Sequence, residues 1–223
     1  MACSYNVIFD MDGVIFDSER ACLSCWYELG EKFGLGDVEP VFKRCIGTNN
    51  AQTHDIVENA YADKMGAGIA DKLLAESSRL FHEKFDGGRL PVKNGVKEIL
   101  EYLKGKGVKV GVASSTRKAL VINELTDAGF IDYFDMVVGG DAVKISKPNP
   151  EIYTLACREL GVNPSETFAI EDSYNGIRAA KAAGMRPIMV PDIIGPDDEM
   201  RELTEVICDD LIAVIEYLEK SFR

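Results

Sequence analysis

Short apolar runs rich in β-branched residues alternate with helix-like segments along much of the chain. Each helix-like segment repeats its apolar residues at spacings of three and four, which is the period of a helix with one buried face. Several of these segments end in glycine, a common helix terminator. Regular alternation of strand and helix predicts a parallel sheet with helices on both faces. The predicted strands occupy residues 6–9, 108–114, 135–140, 167–172 and 187–191.

The segment from residue 16 to residue 89 breaks this alternation, because its patterning is helical and contains no convincing strand. We therefore predict two domains. Residues 1–15 and 90–223 form an α/β catalytic core, and residues 16–89 form an inserted all-α cap domain. Phe16 and the Gly87–Gly88 pair are the expected hinges of the cap, since glycine tolerates large backbone changes. Such a lid would exclude water during a reaction and open to release the product.

Composition limits the partners of the chain. With 25 Lys and Arg against 37 Asp and Glu, the net charge is −12, which disfavours sequence-independent binding to nucleic acid or to an anionic membrane. No apolar run approaches the ~20 residues of a membrane span, and the first residues lack the pattern of a signal peptide. The six cysteines are scattered through a chain too large to need disulfides. We expect a cytoplasmic protein, monomeric or weakly dimeric, whose partner is a small metabolite.

Polar residues follow the predicted strands at the points where each strand ends. The carboxyl ends of parallel strands share one edge of a sheet, where ligands bind, so these residues are expected to converge. They comprise carboxylates, a hydroxyl group and one lysine: Asp10, Asp12, Ser114, Lys147, Glu171 and Asp172.

This set of groups suits phosphoryl transfer to a carboxylate. Crowded carboxylates raise one another's pKa unless a cation compensates them, and Mg²⁺ prefers such oxygen ligands. One aspartate can then attack phosphorus as a nucleophile, while a second acid protonates the leaving alcohol and activates water. Lys147 and Ser114 would hold the phosphoryl oxygens. Asp10 and Asp12 can face one substrate because alternate residues leaving a strand project to the same side.

These residues resemble the four motifs of the haloacid dehalogenase (HAD) superfamily, in the same order. The matching motifs are DMDGV at 10–14, the strand-end Ser114, Lys147 in SKP and IED at 170–172. The helical insert after the first motif resembles that of the beta-phosphoglucomutase-like branch. The resemblance implies a Rossmann-like parallel sheet core with helices on both faces, an all-α cap, and a Mg²⁺-dependent phosphatase of small phosphorylated metabolites such as sugar phosphates.

The resemblance also assigns a role to each residue. Asp10 is the expected nucleophile, forming an aspartyl-phosphate, and Asp12 is the general acid and base. Ser114 and Lys147 are expected to bind the phosphoryl group. The expected Mg²⁺ ligands are Asp10, the backbone carbonyl of Asp12, Asp172, and Glu171 directly or through water.

The cap departs from the pattern of the sugar phosphomutases in this branch. Those enzymes have a histidine where Cys22 stands and an arginine shortly after a glycine that resembles Gly47, whereas this chain continues Thr48-Asn49-Asn50. A mutase must grip a second phosphate, so the missing cation favours a phosphatase, with a mutase as the alternative. Cys22, Gly47, Thr48 and Asn49 are candidate specificity residues, although residues 47–50 could equally form a plain turn between helices.

Several other interpretations compete. Ser115 and Thr116 could replace Ser114 as the functional hydroxyl, since all three can cap the following helix. Cys22 and Cys25 form a CxxC pair, which can indicate a redox or zinc site, although no second pair accompanies it. A receiver-like phospho-acceptor module uses similar groups, but in another order and without a cap. A catalytically inactive scaffold protein would be expected to lack one of the motifs.

Overall fold

The computed structural model describes residues 5–48 and 50–221. The described residues divide into two compact units. One unit consists of Ser18–Pro91, and the other combines the residues up to Asp17 with those from Val92 onward. The predicted cap boundaries, residues 16 and 89, lie two residues before the bounds of the first unit. None of the helices among the described residues is both long and apolar enough to cross a membrane.

The described part of the Ser18–Pro91 unit is helical and contains no strand. Its long helices bury the apolar face that the sequence pattern predicts, including Trp26 and Leu29 on the first and Leu73 on the last. A short helix between them was not predicted, because its seven residues are too few for a helical spacing of apolar residues to be recognised. The helices are α1 (Ser18–Phe33), α2 (Glu39–Cys45), α3 (Asn50–Met65) and α4 (Ile69–Phe85).

The other unit is built on a parallel six-stranded sheet, which confirms the predicted Rossmann-like α/β fold. The strand order is β3-β2-β1-β4-β5-β6. Strands β2 and β3 therefore lie on one side of β1 and β4 to β6 on the other, so the strand order reverses between β1 and β4. Ligands of open parallel sheets bind in the crevice at such a reversal. The last strand, of two residues at the sheet edge, was not predicted. The strands are β1 (Asn6–Phe9), β2 (Val110–Ala113), β3 (Met136–Val138), β4 (Thr167–Glu171), β5 (Arg186–Met189) and β6 (Val206–Ile207).

Helices connect these strands and cover the sheet. Ile8 and Ala169, from the two central strands, belong to one buried cluster with residues of two helices, α7 (Glu151–Leu160) and α8 (Tyr174–Ala182). Side chains alternate between the faces of a strand, so Glu171 at the end of β4 shares the face of Ala169. Burying each large aliphatic side chain in this core contributes roughly 1.5–3 kcal/mol. The helices are α5 (Val96–Lys106), α6 (Lys118–Asp127), α7 (Glu151–Leu160), α8 (Tyr174–Ala182), α9 (Asp198–Leu203) and α10 (Leu211–Ser221).

Candidate active site

The chain makes a tight turn directly after β1 and so places two acids at the sheet edge. The backbone N–H of Asp10 donates to the carbonyl of Ile170 in β4 (2.9 Å), which fixes Asp10 at the reversal of strand order. The N–H of Gly13 donates to the carbonyl of Phe16 (2.9 Å), which closes the turn. Gly13 has φ +76°, and a Cβ there would lie 2.2 Å from Oδ2 of Asp172. Glycine is therefore required both by the backbone and by the neighbouring acid.

Lys147 lies at the centre of the site and binds two acids, one directly after β1 and the other at the end of β4. Its Nζ donates to Oδ1 of Asp10 (2.8 Å) and to Oε1 of Glu171 (2.7 Å). A third bond goes to the carbonyl of Ala113, at the end of β2 (3.2 Å). The side chain of Lys147 is only 8% exposed, and that of Glu171 is fully buried. The structure therefore joins the first, third and fourth predicted motifs through one ammonium group.

Burial strongly perturbs the ionisation of this site. Removal from water raises the pKa of Asp10 to about 8, and the charges of Glu171 and Asp12 act in the same direction, whereas Lys147 opposes them. Burial by itself would lower the pKa of Lys147, but attraction to Asp10 and Glu171 outweighs it and raises that pKa. Lys147 is therefore charged at neutral pH, while Asp10 needs further positive charge to ionise readily.

Two hydroxyl groups hold the second acid of the turn. The fully buried Ser114 donates to Oδ2 of Asp12 (3.3 Å), and Thr116 donates to the same oxygen at a shorter distance (2.9 Å). The N–H of Thr116 also donates to Oγ of Ser114 (3.0 Å). The structure therefore places the predicted Ser114 beside Asp12. It adds Thr116, which sequence reasoning considered only as an alternative, while Ser115 is exposed.

The carboxylates fit a hard divalent cation. One oxygen from each of Asp10, Glu171 and Asp172 lies within 4.8 Å of the others, and all three residues are buried. With Asp12 they make four carboxylates against the single ammonium of Lys147, a local excess of negative charge that a divalent cation would offset. Carboxylate oxygens are the ligands that Mg²⁺ prefers, so the donor set suits that ion.

Two residues that the sequence did not indicate complete the site. Tyr153, on α7, donates its hydroxyl to Oε1 of Glu171 (2.6 Å) and is fully buried. Ser173, which caps α8, donates its hydroxyl to Oε2 of the same carboxylate (3.1 Å). Buried tyrosine hydroxyls usually have a partner. The only signal in the sequence was a tyrosine one helical turn into the segment that follows Lys147.

The proposed specificity residues lie in the Ser18–Pro91 unit, except that Asn49 falls outside the described residues. Cys22 is on α1, and burial raises the pKa of its thiol to about 11. The hydroxyl of Thr48 donates to the carbonyl of Cys45 (2.7 Å) and pairs with the hydroxyl of Thr53 (2.8 Å). Gly47, with φ +72°, sits in this same turn between α2 and α3. The local role of Thr48 is therefore to order a helix–helix turn.

Both cysteines of the CxxC pair are free thiols, Cys25 buried and Cys22 partly buried. Burial raises the pKa of Cys25 as well as that of Cys22, which disfavours the reactive thiolate. Among the described residues, no cysteine belongs to a group of side chains close enough to share a metal ion.

Comparison with known proteins supports the motif assignment. The sequence model of the haloacid dehalogenase-like hydrolase family matches residues 7–190. The chain is 34% identical over 183 residues to the phosphorylated carbohydrates phosphatase of Thermotoga maritima, covering 82% of each chain. It is 31% identical to hexitol phosphatase B of Escherichia coli K12, covering 92% of this chain and 95% of that protein.

A solved structure extends the similarity to the fold. CbbY from Rhodobacter sphaeroides, in complex with phosphate, is similar at a TM-score of 0.73 and 27% identity, covering 94% of this chain and 95% of that one. The family match spans both halves of the α/β sheet and every predicted motif. This chain belongs to the haloacid dehalogenase-like hydrolase family.

Proposed function

We propose that the protein is a Mg²⁺-dependent phosphatase that hydrolyses small phosphomonoesters, sugar phosphates in particular, through an aspartyl-phosphate on Asp10. The observation that carries this proposal is the bridge of Lys147 between Asp10 and Glu171, at 2.8 and 2.7 Å, beside Asp172. The names of the relatives, phosphorylated carbohydrates phosphatase and hexitol phosphatase B, support the substrate class.

In the first step, an Oδ atom of Asp10 attacks phosphorus, and the bond between phosphorus and the ester oxygen breaks. Asp10 is only 7% exposed, so few water molecules compete with the substrate for it. Lys147 stands 2.8 Å from the attacking carboxylate and would share its protons with the phosphoryl oxygens. Bound Mg²⁺ would supply the remaining positive charge. Asp10, Asp172 and the backbone carbonyl of Asp12 would hold it, with Glu171 acting directly or through water.

Asp12 handles the protons of both steps. As an acid it gives a proton to the departing alcohol, and as a base it then takes one from the water that attacks the aspartyl-phosphate. That attack breaks the bond between phosphorus and Asp10 and releases inorganic phosphate. The hydrogen bonds from Ser114 and Thr116 to Oδ2 of Asp12 support this role, because they fix the orientation of the carboxyl group.

A phosphatase screen tests the proposal. Purified protein with Mg²⁺ is assayed for phosphate release over a broad panel of phosphomonoesters that includes hexose and hexitol phosphates. We expect turnover that chelation abolishes and that excess Mg²⁺ restores. An absence of turnover over the whole panel would refute the phosphatase proposal.

The same assay separates a phosphatase from a sugar phosphomutase. Isomerisation of sugar 1-phosphates is followed in parallel with phosphate release. The helical insert has no arginine at the position that follows Gly47 in the mutase pattern, and Arg44 is displaced from it by several residues. Phosphate release is therefore expected to exceed isomerisation. The opposite ratio would reverse the assignment. Family membership removes the receiver-like module as a candidate, since the matched family is one of hydrolases.

A further inference from the structure

Two connecting stretches, residues 15–17 and 92–95, belong to the unit built on the sheet (the sheet unit) and adjoin the Ser18–Pro91 unit in the chain. They pair with each other directly at the boundary, where Phe16 forms an antiparallel bridge with Val92. A backbone hydrogen bond of 2.9 Å between the same two stretches follows this bridge. The chain therefore leaves and re-enters the sheet unit through one paired segment.

The first connecting stretch is continuous with the turn that carries the catalytic acids. Phe16 is only 1% exposed, and it forms a second bridge with Asp12. Its N–H donates to the carbonyl of Met11 (3.1 Å), and its carbonyl accepts from the N–H of Gly13 (2.9 Å). A rotation of the backbone at Phe16 would break the turn that holds Asp10 and Asp12. A hinge on this side of the lid must therefore lie beyond Phe16.

The second connecting stretch is anchored directly after the boundary. The side chain of Asn94 donates to Oδ2 of Asp210 (2.8 Å), which precedes α10. Gly95, with φ +84°, lies so close to the backbone of α10 that a Cβ would come within 2.9 Å of the nitrogen of Ile212. This stretch is therefore fixed to the sheet unit over successive residues, and it offers little freedom for a hinge.

Lys93 joins both stretches to the loop that follows β5. Its backbone N–H donates to the carbonyl of Ile15 (2.9 Å) in the first stretch. Its Nζ donates to Oδ1 of Asp192 (2.7 Å) and lies 3.8 Å from Oδ1 of Asp17. The side chain of Asp192 is fully buried and that of Lys93 is 18% exposed, so solvent screens this ion pair weakly. Removal of either charge would leave the other buried and uncompensated.

We propose that Lys93 is a positioning residue: its ion pair with Asp192 clamps both connecting stretches to the sheet unit and fixes the pivot of the lid, the Ser18–Pro91 unit. The pivot then lies directly beyond Asp17, and the Gly87–Gly88 pair lies inside the moving unit. This inference rests on the proposed function, because lid closure serves a reaction that must exclude water. A loose pivot lowers the fraction of the protein in which the lid closes correctly, which weakens substrate binding and turnover.

The first test is a double-mutant cycle on kcat/KM with p-nitrophenyl phosphate as the probe. Lys93→Met removes the charge and keeps an unbranched chain, and we expect kcat/KM to fall roughly 2- to 30-fold, the range for residues that act on a site through the fold. Lys93→Met should have no further effect in the Asp192→Asn background, and Lys93→Arg should keep near-wild-type kcat/KM. Fully additive losses, or equal losses in Lys93→Met and Lys93→Arg, would overturn the inference.

Lys97→Met is the matched control. Lys97 lies one helical turn further along the chain, on α5, and its side chain is 68% exposed. This variant loses the same charge near the same boundary and should retain wild-type kcat/KM. If Lys93→Met proves unstable, Asp192→Asn tests the same clamp from the other charge, and a wild-type kcat/KM in that variant would also overturn the inference.

A second measurement needs no turnover and so separates failure of this inference from failure of the phosphatase proposal. Amide hydrogen exchange is followed by mass spectrometry, with a chelator and without substrate, in the wild type, Lys93→Met and Lys97→Met. We expect Lys93→Met to exchange about tenfold faster over residues 92–96, as for one lost hydrogen bond between charged groups, with β1 and β4 unchanged. Wild-type exchange over residues 92–96, or equal acceleration throughout the chain, would overturn the inference, whatever the substrate screen shows.

Discussion

Replacing the candidate nucleophile Asp10 by asparagine should abolish turnover and at the same time stabilise the metal-free protein. Burial raises the pKa of Asp10 from an ordinary 3.8 to about 8. One pKa unit of difference between the folded and unfolded protein corresponds to ~1.4 kcal/mol. Keeping Asp10 neutral in the fold at pH 7 therefore costs roughly 4 kcal/mol. Asparagine has a similar shape and no charge to bury, so it avoids most of this penalty.

The sign of the pH dependence follows from the same values. Below pH 4, Asp10 is protonated in both the folded and the unfolded protein, so it contributes no penalty. Between pH 4 and 8 the unfolded chain releases this proton while the folded protein keeps it, so the free energy of unfolding falls as pH rises. The advantage of Asp10→Asn should therefore be absent near pH 4, grow toward pH 8 and level off above it.

Thermal unfolding in the presence of a chelator measures this difference. At pH 7 we expect the Tm of Asp10→Asn to exceed that of the wild type by at least several degrees, since ~1 kcal/mol corresponds to about 2–4 °C in a chain of this size. Asp127→Asn, at the exposed end of α6, controls for the loss of one negative charge. A variant that melts at or below the wild-type temperature from pH 7 to 8 would refute the reasoning.

Three further predictions concern the same site. Gly176→Ala should lower both Tm and kcat/KM, because its Cβ would lie 1.9 Å from the carboxyl carbon of Glu171; Gly105→Ala, in a helix with open space around it, should instead raise stability by ~0.5–1 kcal/mol. Binding of Mg²⁺ at pH 7 should displace a proton from Asp10, so the calorimetric enthalpy should depend on the ionisation enthalpy of the buffer; a buffer-independent enthalpy would contradict this. Lys147→Met should abolish activity and destabilise the fold by about 3–5 kcal/mol in urea unfolding, because it leaves the buried carboxylate of Glu171 without its cation; an unchanged urea midpoint would contradict the assigned ion pair.

The sheet was predictable because buried parallel strands are continuous apolar runs, which stand out in a chain of otherwise periodic helices. The ends of those runs then identified Asp10, Ser114, Glu171 and Asp172, since the carboxyl ends of parallel strands must meet at one edge. Lys147 was predictable only as part of a motif, because a lysine in a loop carries no signal by itself.

Other elements were not predictable for physical reasons. Helix α2 contains seven residues, fewer than the window of about 11–18 residues over which a helical period can be recognised. Strand β6 contains two residues at the sheet edge, so it lacks the buried run that marks an interior strand. Thr116 and Tyr153 act through contacts with residues far away in sequence, at Asp12 and Glu171. Such contacts depend on tertiary packing and leave no periodic pattern.

The opposed requirements of stability and catalysis explain why the site is built around Lys147. A buried carboxylate is a stronger nucleophile than a hydrated one, but the burial that raises the pKa of Asp10 also favours its neutral, unreactive form. The protein must therefore hold a positive charge near the Asp10 carboxylate, but not so close that this charge fully neutralises the carboxylate. A lysine on a flexible stem cannot do this alone, since it loses side-chain entropy when fixed. Glu171 supplies a second acid on the opposite side, so Lys147 is shared at nearly equal distances of 2.8 and 2.7 Å. Equal sharing leaves the charge of Asp10 only partly compensated. In the proposed mechanism, a bound divalent cation would supply the remaining positive charge.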